Sequence, residues 1–266
     1  MLGKLLKYEL KATGRILLPL FLALLLFAGI NRFLTPLGPK NFDTPAMISM
    51  TIYIMIMVGM FVMTFMMMIQ RFYRNLLSDE GYLMHTLPVK PWQQIVSKLL
   101  VSMLWIVGSG IVAFISILII AVRNADFTMI VSQVATIHNR VFEQLGTRMY
   151  FLSLEMILGF LLSLASGILV VYASIAVGHL VNRHKMLTTF GAFIVLTSIS
   201  KFLLTLISLT PLAHLSNINI SSPHDLIAMQ PLIQWGIVYG TIFTGLLCVV
   251  YFAVTSYILS KRLNLE

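Results

Sequence analysis

The stretch MISMTIYIMIMVGMFVMTFMMMIQ, residues 47–70, carries no charged side chain and outruns the length a helix needs to cross a bilayer. At 1.5 Å per residue, about 20 apolar residues span the hydrocarbon core. It holds nine of the 17 methionines. Thioethers are copper(I) ligands, which raises a metal pathway. The methionines fall on every face of the helix, however, with no Cys or His at that depth. A flexible, polarizable wall that repacks as neighbouring helices move is the better account.

Working outward, five more runs reach spanning length. With the first they lie near 16–35, 46–70, 97–122, 149–179, 187–209 and 231–259. The chain as a whole is 59% hydrophobic and 10% charged over 266 residues, with a mean hydropathy of +0.94. A soluble domain carries roughly 25% charged residues, so this chain could not cover itself in water. The expected fold is an all-α integral membrane protein of six transmembrane helices. The first run is too long for a signal-peptide core and no small-x-small site follows it before Pro36, so it reads as a retained span.

The net charge is +9. No basic cluster is interleaved with exposed aromatics, which removes nucleic acid as a partner, and the surplus fits the cytoplasmic Lys/Arg bias of membrane proteins. With the N-terminus inside, Lys4, Lys7, Lys11, Arg15, Arg71, Arg74, Lys90, Lys98, Arg183, Lys185, Lys261 and Arg262 share the cytoplasmic side. Arg32, Lys40, Arg123, Arg140 and Arg148 face outward, and Lys201 lies within a span. Both termini are therefore expected to be cytoplasmic. No segment between spans approaches the ~50 residues of an independent domain. The chain reads as one transmembrane domain, 1–266: an amphipathic interfacial helix at 1–15, spans at 16–70, a cytoplasmic loop at 71–96, spans at 97–179, an inner link at 180–186, spans at 187–259 and a cytoplasmic tail at 260–266.

Two segments stand apart from the spans. In MLGKLLKYELKATGR, residues 1–15, the basic residues form one stripe and Leu2, Leu5, Leu6 and Leu10 lie opposite, as in a helix lying in the interface. Glu9 interrupts the apolar face. It either snorkels or pairs with a nearby Lys, or else that face packs on protein and Glu9 meets a basic partner there. In RFYRNLLSDEGYLMHTLPVKPWQQIVSKLL, residues 71–100, RFYRNLL can prolong the second span. Ser78 with Asp79 and Glu80 has the look of a helix start, Gly81 loosens the turn, and Pro88 and Pro91 forbid a continuous helix. The result is either a rigid knob bearing Tyr82, Leu83, Met84 and Leu87 that fits a partner's groove, or an ordinary interfacial loop. Trp92 is placed to anchor the third span at the headgroups.

The order of these parts resembles the permease subunit of type V ABC exporters, the ABC type-two permease family. The likeness in architecture covers the whole chain. In sequence it concentrates in residues 1–15 and 71–100, where DEGYL…TLPV is similar to the corresponding loop of such permeases from Gram-positive bacteria. The resemblance implies a coupling helix in the first cytoplasmic loop, with Asp79, Glu80, Gly81, Tyr82, Leu83, Thr86, Leu87 and Pro88 contacting a separate ATPase. It implies a connecting helix at the N-terminus that gives Glu9 a protein partner. It further implies a bacterial plasma membrane, ABC ATPase subunits carrying ATP and Mg, and a second permease copy or paralogue.

The residues themselves set limits on the chemistry. No G-x-x-x-x-G-K-[ST] is present, so phosphates have no P-loop in this chain, and no cofactor or metal site is expected of it. No zincin motif or Ser-His or Ser-Lys arrangement suits intramembrane hydrolysis, so the chain is not expected to be an enzyme by itself. Cys248 is the single cysteine, which rules out an intrachain disulfide. Gly159, Ser163 and Gly167, and Gly236 with Gly240, suit close helix packing. Glu155 and Lys201 are the charges deep within spans. Their similar depth and opposite sign suggest an intramembrane pair, with outward snorkelling or a solvated cargo cavity as the alternatives. A secondary transporter or channel, or a membrane scaffold, are the competing functional classes. The first would show more buried ionisable groups or broken helices.

Overall fold

A computed structural model describes residues 2–34, 44–77, 90–121, 124–181, 185–215 and 230–261. Among these residues the chain is all-helical: α1 (Leu2–Leu34), α2 (Thr44–Leu77), α3 (Pro91–Ala121), α4 (Asn124–Leu145), α5 (Arg148–Gly178), α6 (Lys185–Leu215) and α7 (Gln230–Lys261). All but α4 are long and apolar enough to cross a membrane. The chain is thus built as a multi-pass membrane protein, and the six helices fall where the six apolar runs lie. Their packing forms two units. One holds α1, α2 through Asn75, α3 and α4 through Arg140; the other holds the last residues of α2 and of α4 with α5, α6 and α7.

In the first unit α1 supplies the seam. Its buried residues are Glu9, Thr13, Gly14, Leu17, Phe21, Leu24, Ala28 and Asn31, a stripe with the three- and four-residue spacing of a helix packed along its length. Polar contacts from α1 to α3 keep a nearly fixed offset in sequence. Lys98 Nζ donates to Glu9 Oε1 across 89 residues, Trp105 Nε1 to Thr13 Oγ1 across 92, and Arg32 to the Ile119 carbonyl across 87. A fixed offset means that α1 and α3 run parallel, in register. α2 returns antiparallel to α1: Glu9 meets Arg71, and Asn31 donates to the Ser49 carbonyl, two pairs whose numbers add to the same total, as antiparallel helices require. The core between these polar ends is made of Leu17, Phe21, Leu24 and Ala28 of α1, Tyr53, Met60 and Met67 of α2, and Ala113 of α3.

The sequence reading separates residues 1–15 from the first span as an interfacial helix. In the structure α1 is one unbroken helix from Leu2, with Pro19 inside it. The buried stripe runs straight through 9, 13, 14 and 17, so the first turns are held by the same packing as the rest. At Gly14 a Cβ would stand 3.5 Å from the Trp105 ring, an ordinary van der Waals contact, so the indole packs beside this turn of α1.

In the second unit α5 is central and buries the run Ile168 to Ala176 without interruption. It packs most extensively on α7 and forms a hairpin with α6. Cys248 Sγ of α7 contacts the Leu162 carbonyl of α5 at 3.4 Å, and the Ser200 and Tyr251 hydroxyls join α6 to α7. At the turn of the hairpin α5 and α6 nearly touch, and a Cβ on Gly178 would stand 2.9 Å from Thr189 Cα.

Between the spans expected near 97–122 and 149–179, most of the chain is helical, as α4. Gly146, at φ 56°, ends that helix in the left-handed region, its N–H donating to the Phe142 carbonyl at 2.7 Å.

Candidate functional site

Glu9 is the one acidic residue of α1, and the buried stripe turns it inward. Lys98, in the second turn beyond Pro91 on α3, is carried inward with Gln94, Ser97 and Ser102, all buried. Pro91 stands at the first position of α3, where its missing N–H costs nothing, and Gln93 N–H closes the first turn on the Lys90 carbonyl at 2.9 Å. The two charges meet at 2.6 Å with side-chain exposures of 4% for Lys98 and 11% for Glu9. Arg71 of α2 lies 3.9 Å from the other carboxylate oxygen and is about a third exposed. Both charges are thus largely out of water, and each meets its opposite there. A second tier lies just inward: Thr13 donates to the Glu9 carbonyl at 2.8 Å and accepts from Trp105 at 2.7 Å. Trp105 also meets Phe21 edge to face, with ring centroids 5.8 Å apart.

Glu9, Thr13, Arg71, Lys98 and Trp105, with Thr64, Met67 and Met68 of α2, line a cavity of about 20 Å³, room for a single water. The site is thus a charged clamp on three helices and not a chamber for a substrate. Its opposite number lies about 33 Å further along α1, at Asn31, Arg32, Ser49, Tyr53 and Ser116. That spacing is close to the hydrocarbon thickness, so the polar contacts of this unit sit at two levels with an apolar core between them.

The segment proposed to couple to an ATPase, Asp79, Glu80, Gly81, Tyr82, Leu83, Thr86, Leu87 and Pro88, lies outside the described residues. Its two flanks do not: α2 runs into it and α3 runs out of it. Arg71 and Lys98 stand on those flanks, so Glu9 ties the N-terminal helix to both.

Glu155 and Lys201 are not brought together. Lys201 is exposed on α6, while Glu155 is half-buried on α5 with Oε2 buried and without a hydrogen-bond partner. The physical reason is register. From the close approach of Gly178 and Thr189, Lys201 lies about 18 Å along α6 and Glu155 about 35 Å along α5, a gap of roughly 17 Å. The sequence estimate of equal depth ended the fifth span at 209, but α6 continues to Leu215.

Lys98, Arg71 and Trp105 are site residues that sequence reading did not single out. The signal was present in α3, where polar residues at 94, 97, 98 and 102 share one face of an otherwise apolar helix. Among the described residues no group of His, Cys, Asp or Glu is arranged to hold a metal ion. Compared with known protein families, with curated proteins and with solved structures, the chain finds no match.

Proposed function

We propose that this chain is the transmembrane permease subunit of an ATP-driven exporter, working with a separate ATPase that carries ATP and Mg and with a second permease copy or paralogue in a bacterial plasma membrane. The observation that carries the reading is the Glu9–Lys98–Arg71 clamp. A partner pressing on residues 78–89 pushes on the ends of α2 and α3. The clamp joins those ends to α1, so the load reaches three spans together. In this reading Glu9 is the anchor of a connecting helix continuous with α1, and Tyr82 and Leu87 are the apolar contacts of the coupling segment. Cargo crosses an apolar environment, which suits amphiphilic molecules such as peptides, drugs or lipids. The chain supplies motion and path, and its partner supplies the hydrolysis.

The test is a mild-detergent pull-down of the full chain from its native membrane, with the proteins that accompany it identified by mass spectrometry. A P-loop ATPase is expected to copurify and to be lost when Tyr82→Ala and Leu87→Asp are introduced together. An intact, oligomeric chain that brings no ATPase would instead favour a secondary transporter or a scaffold.

A further inference from the structure

α4 has no role in the function proposed above, and its surface is unusual. Ile130, Val131, Val134, Ile137, Val141 and Phe142 recur at the three- and four-residue spacing of one helix face. The first four and Phe142 are exposed, Val134 and Ile137 by about 60%. Ser132, Gln133, Thr136, Asn139, Arg140 and Glu143 occupy the other side, with Met129 an apolar exception there and His138 a polar one within the apolar face. Ser132 and Thr136 hydroxyls donate to backbone carbonyls of α4 itself.

The position of α4 in the chain identifies what covers its apolar face. Two residues separate it from α3 and two from α5, both of which are long and apolar enough to span. α4 is not a span, so both its ends are held at the same face of the membrane. The corner into α5 is built: Gly146 caps α4, and Phe142 and Tyr150 meet edge to face at 6.2 Å across the turn. A 22-residue helix is about 33 Å long. The flanking spans, each 31 residues and about 46 Å, exceed the hydrocarbon core by about 16 Å at most. The overhang of the spans alone therefore accounts for a tilt of at most about 30° from the membrane plane.

We propose that α4 is an interfacial helix, its Ile130–Val134–Ile137 face seated in the acyl boundary of the leaflet where α3 and α5 emerge. Its polar face carries Arg140 and Glu143, so the attachment is apolar and tethered and does not call for anionic lipid.

The experiment is nitroxide scanning of the full chain in vesicles of phosphatidylcholine alone. Single cysteines replace Gln133, Val134, Ile137 and Asn139 in a Cys248→Ser background, and exposed positions are chosen so that folding is undisturbed. Accessibility to oxygen, which partitions into lipid, is compared with accessibility to a water-soluble nickel chelate. The oxygen-to-nickel ratio at 134 and 137 is expected to exceed that at 133 and 139 by about threefold or more. Equal nickel access on both faces would mean that α4 stands in water and would overturn the proposal. Shielding of 134 and 137 from oxygen and nickel alike would also overturn it, in favour of a protein seated on that face.

Discussion

At the residue scale, the Glu9–Lys98 bond explains why an acid interrupts an otherwise apolar helix face. Buried ion pairs contribute little net stability against a well-packed apolar pair, but losing one partner strands a charge, at a cost of about 3–5 kcal/mol. Glu9→Leu and Lys98→Met should each lower the melting temperature of the purified protein clearly. The combined Glu9→Leu, Lys98→Met variant should recover most of that loss. Strictly additive losses in the double variant would mean that the two side chains act independently. His179 gives a second prediction. It caps α5 just beyond the span, where burial first, and then the nearby Lys185 charge, hold its imidazole below the ordinary 6.5. The folded protein therefore takes up that proton less readily than the unfolded chain. Stability present above pH 6.5 is withdrawn as the pH falls below it. A thermal-stability profile should show this slope in the wild type and a shallower one in His179→Gln; identical profiles would remove His179 from the account.

At the element scale, the α5–α6 hairpin depends on a backbone approach that only glycine permits. A side chain at 178 meets the Thr189 hydroxyl first, but Thr189 Cα and Cβ also stand within 2.9 Å, so trimming Thr189 to Ala removes only part of the clash. Gly178→Val should destabilise the protein by roughly 1–3 kcal/mol, and Thr189→Ala in the same chain should not restore it. Full recovery in that double variant would place the clash in the side chain. The same scale shows what sequence could and could not deliver. Spans were legible because runs such as 47–70 are uniformly apolar, and their positions need no neighbour to define them. α4 escaped because a search for long apolar runs passes over a helix that is half polar, although its apolar residues keep helical spacing. The continuity of α1 was hidden by a change in composition near residue 15 that has no counterpart in packing.

At the scale of the whole molecule, pairing between distant elements was the least legible property. Depth along one helix depends on where that helix ends. A few residues of error at the end of α6 were enough to suggest a Glu155–Lys201 bond that register does not allow. Glu9 could be recognised as needing a basic partner, but many cations were on offer. Only the parallel setting of α1 and α3 selects Lys98.

The 89 residues between Glu9 and Lys98 also set an order of events during synthesis. The carboxylate leaves the ribosome first, and its cation follows about 5–20 s later at about 5–20 residues per second. Through that interval α1 carries an acid on the face destined for the interior, kept in water or among headgroups by its own charge. The arrival of α3 ends the wait, so the bond that clamps the finished protein also marks when its first three helices can close together.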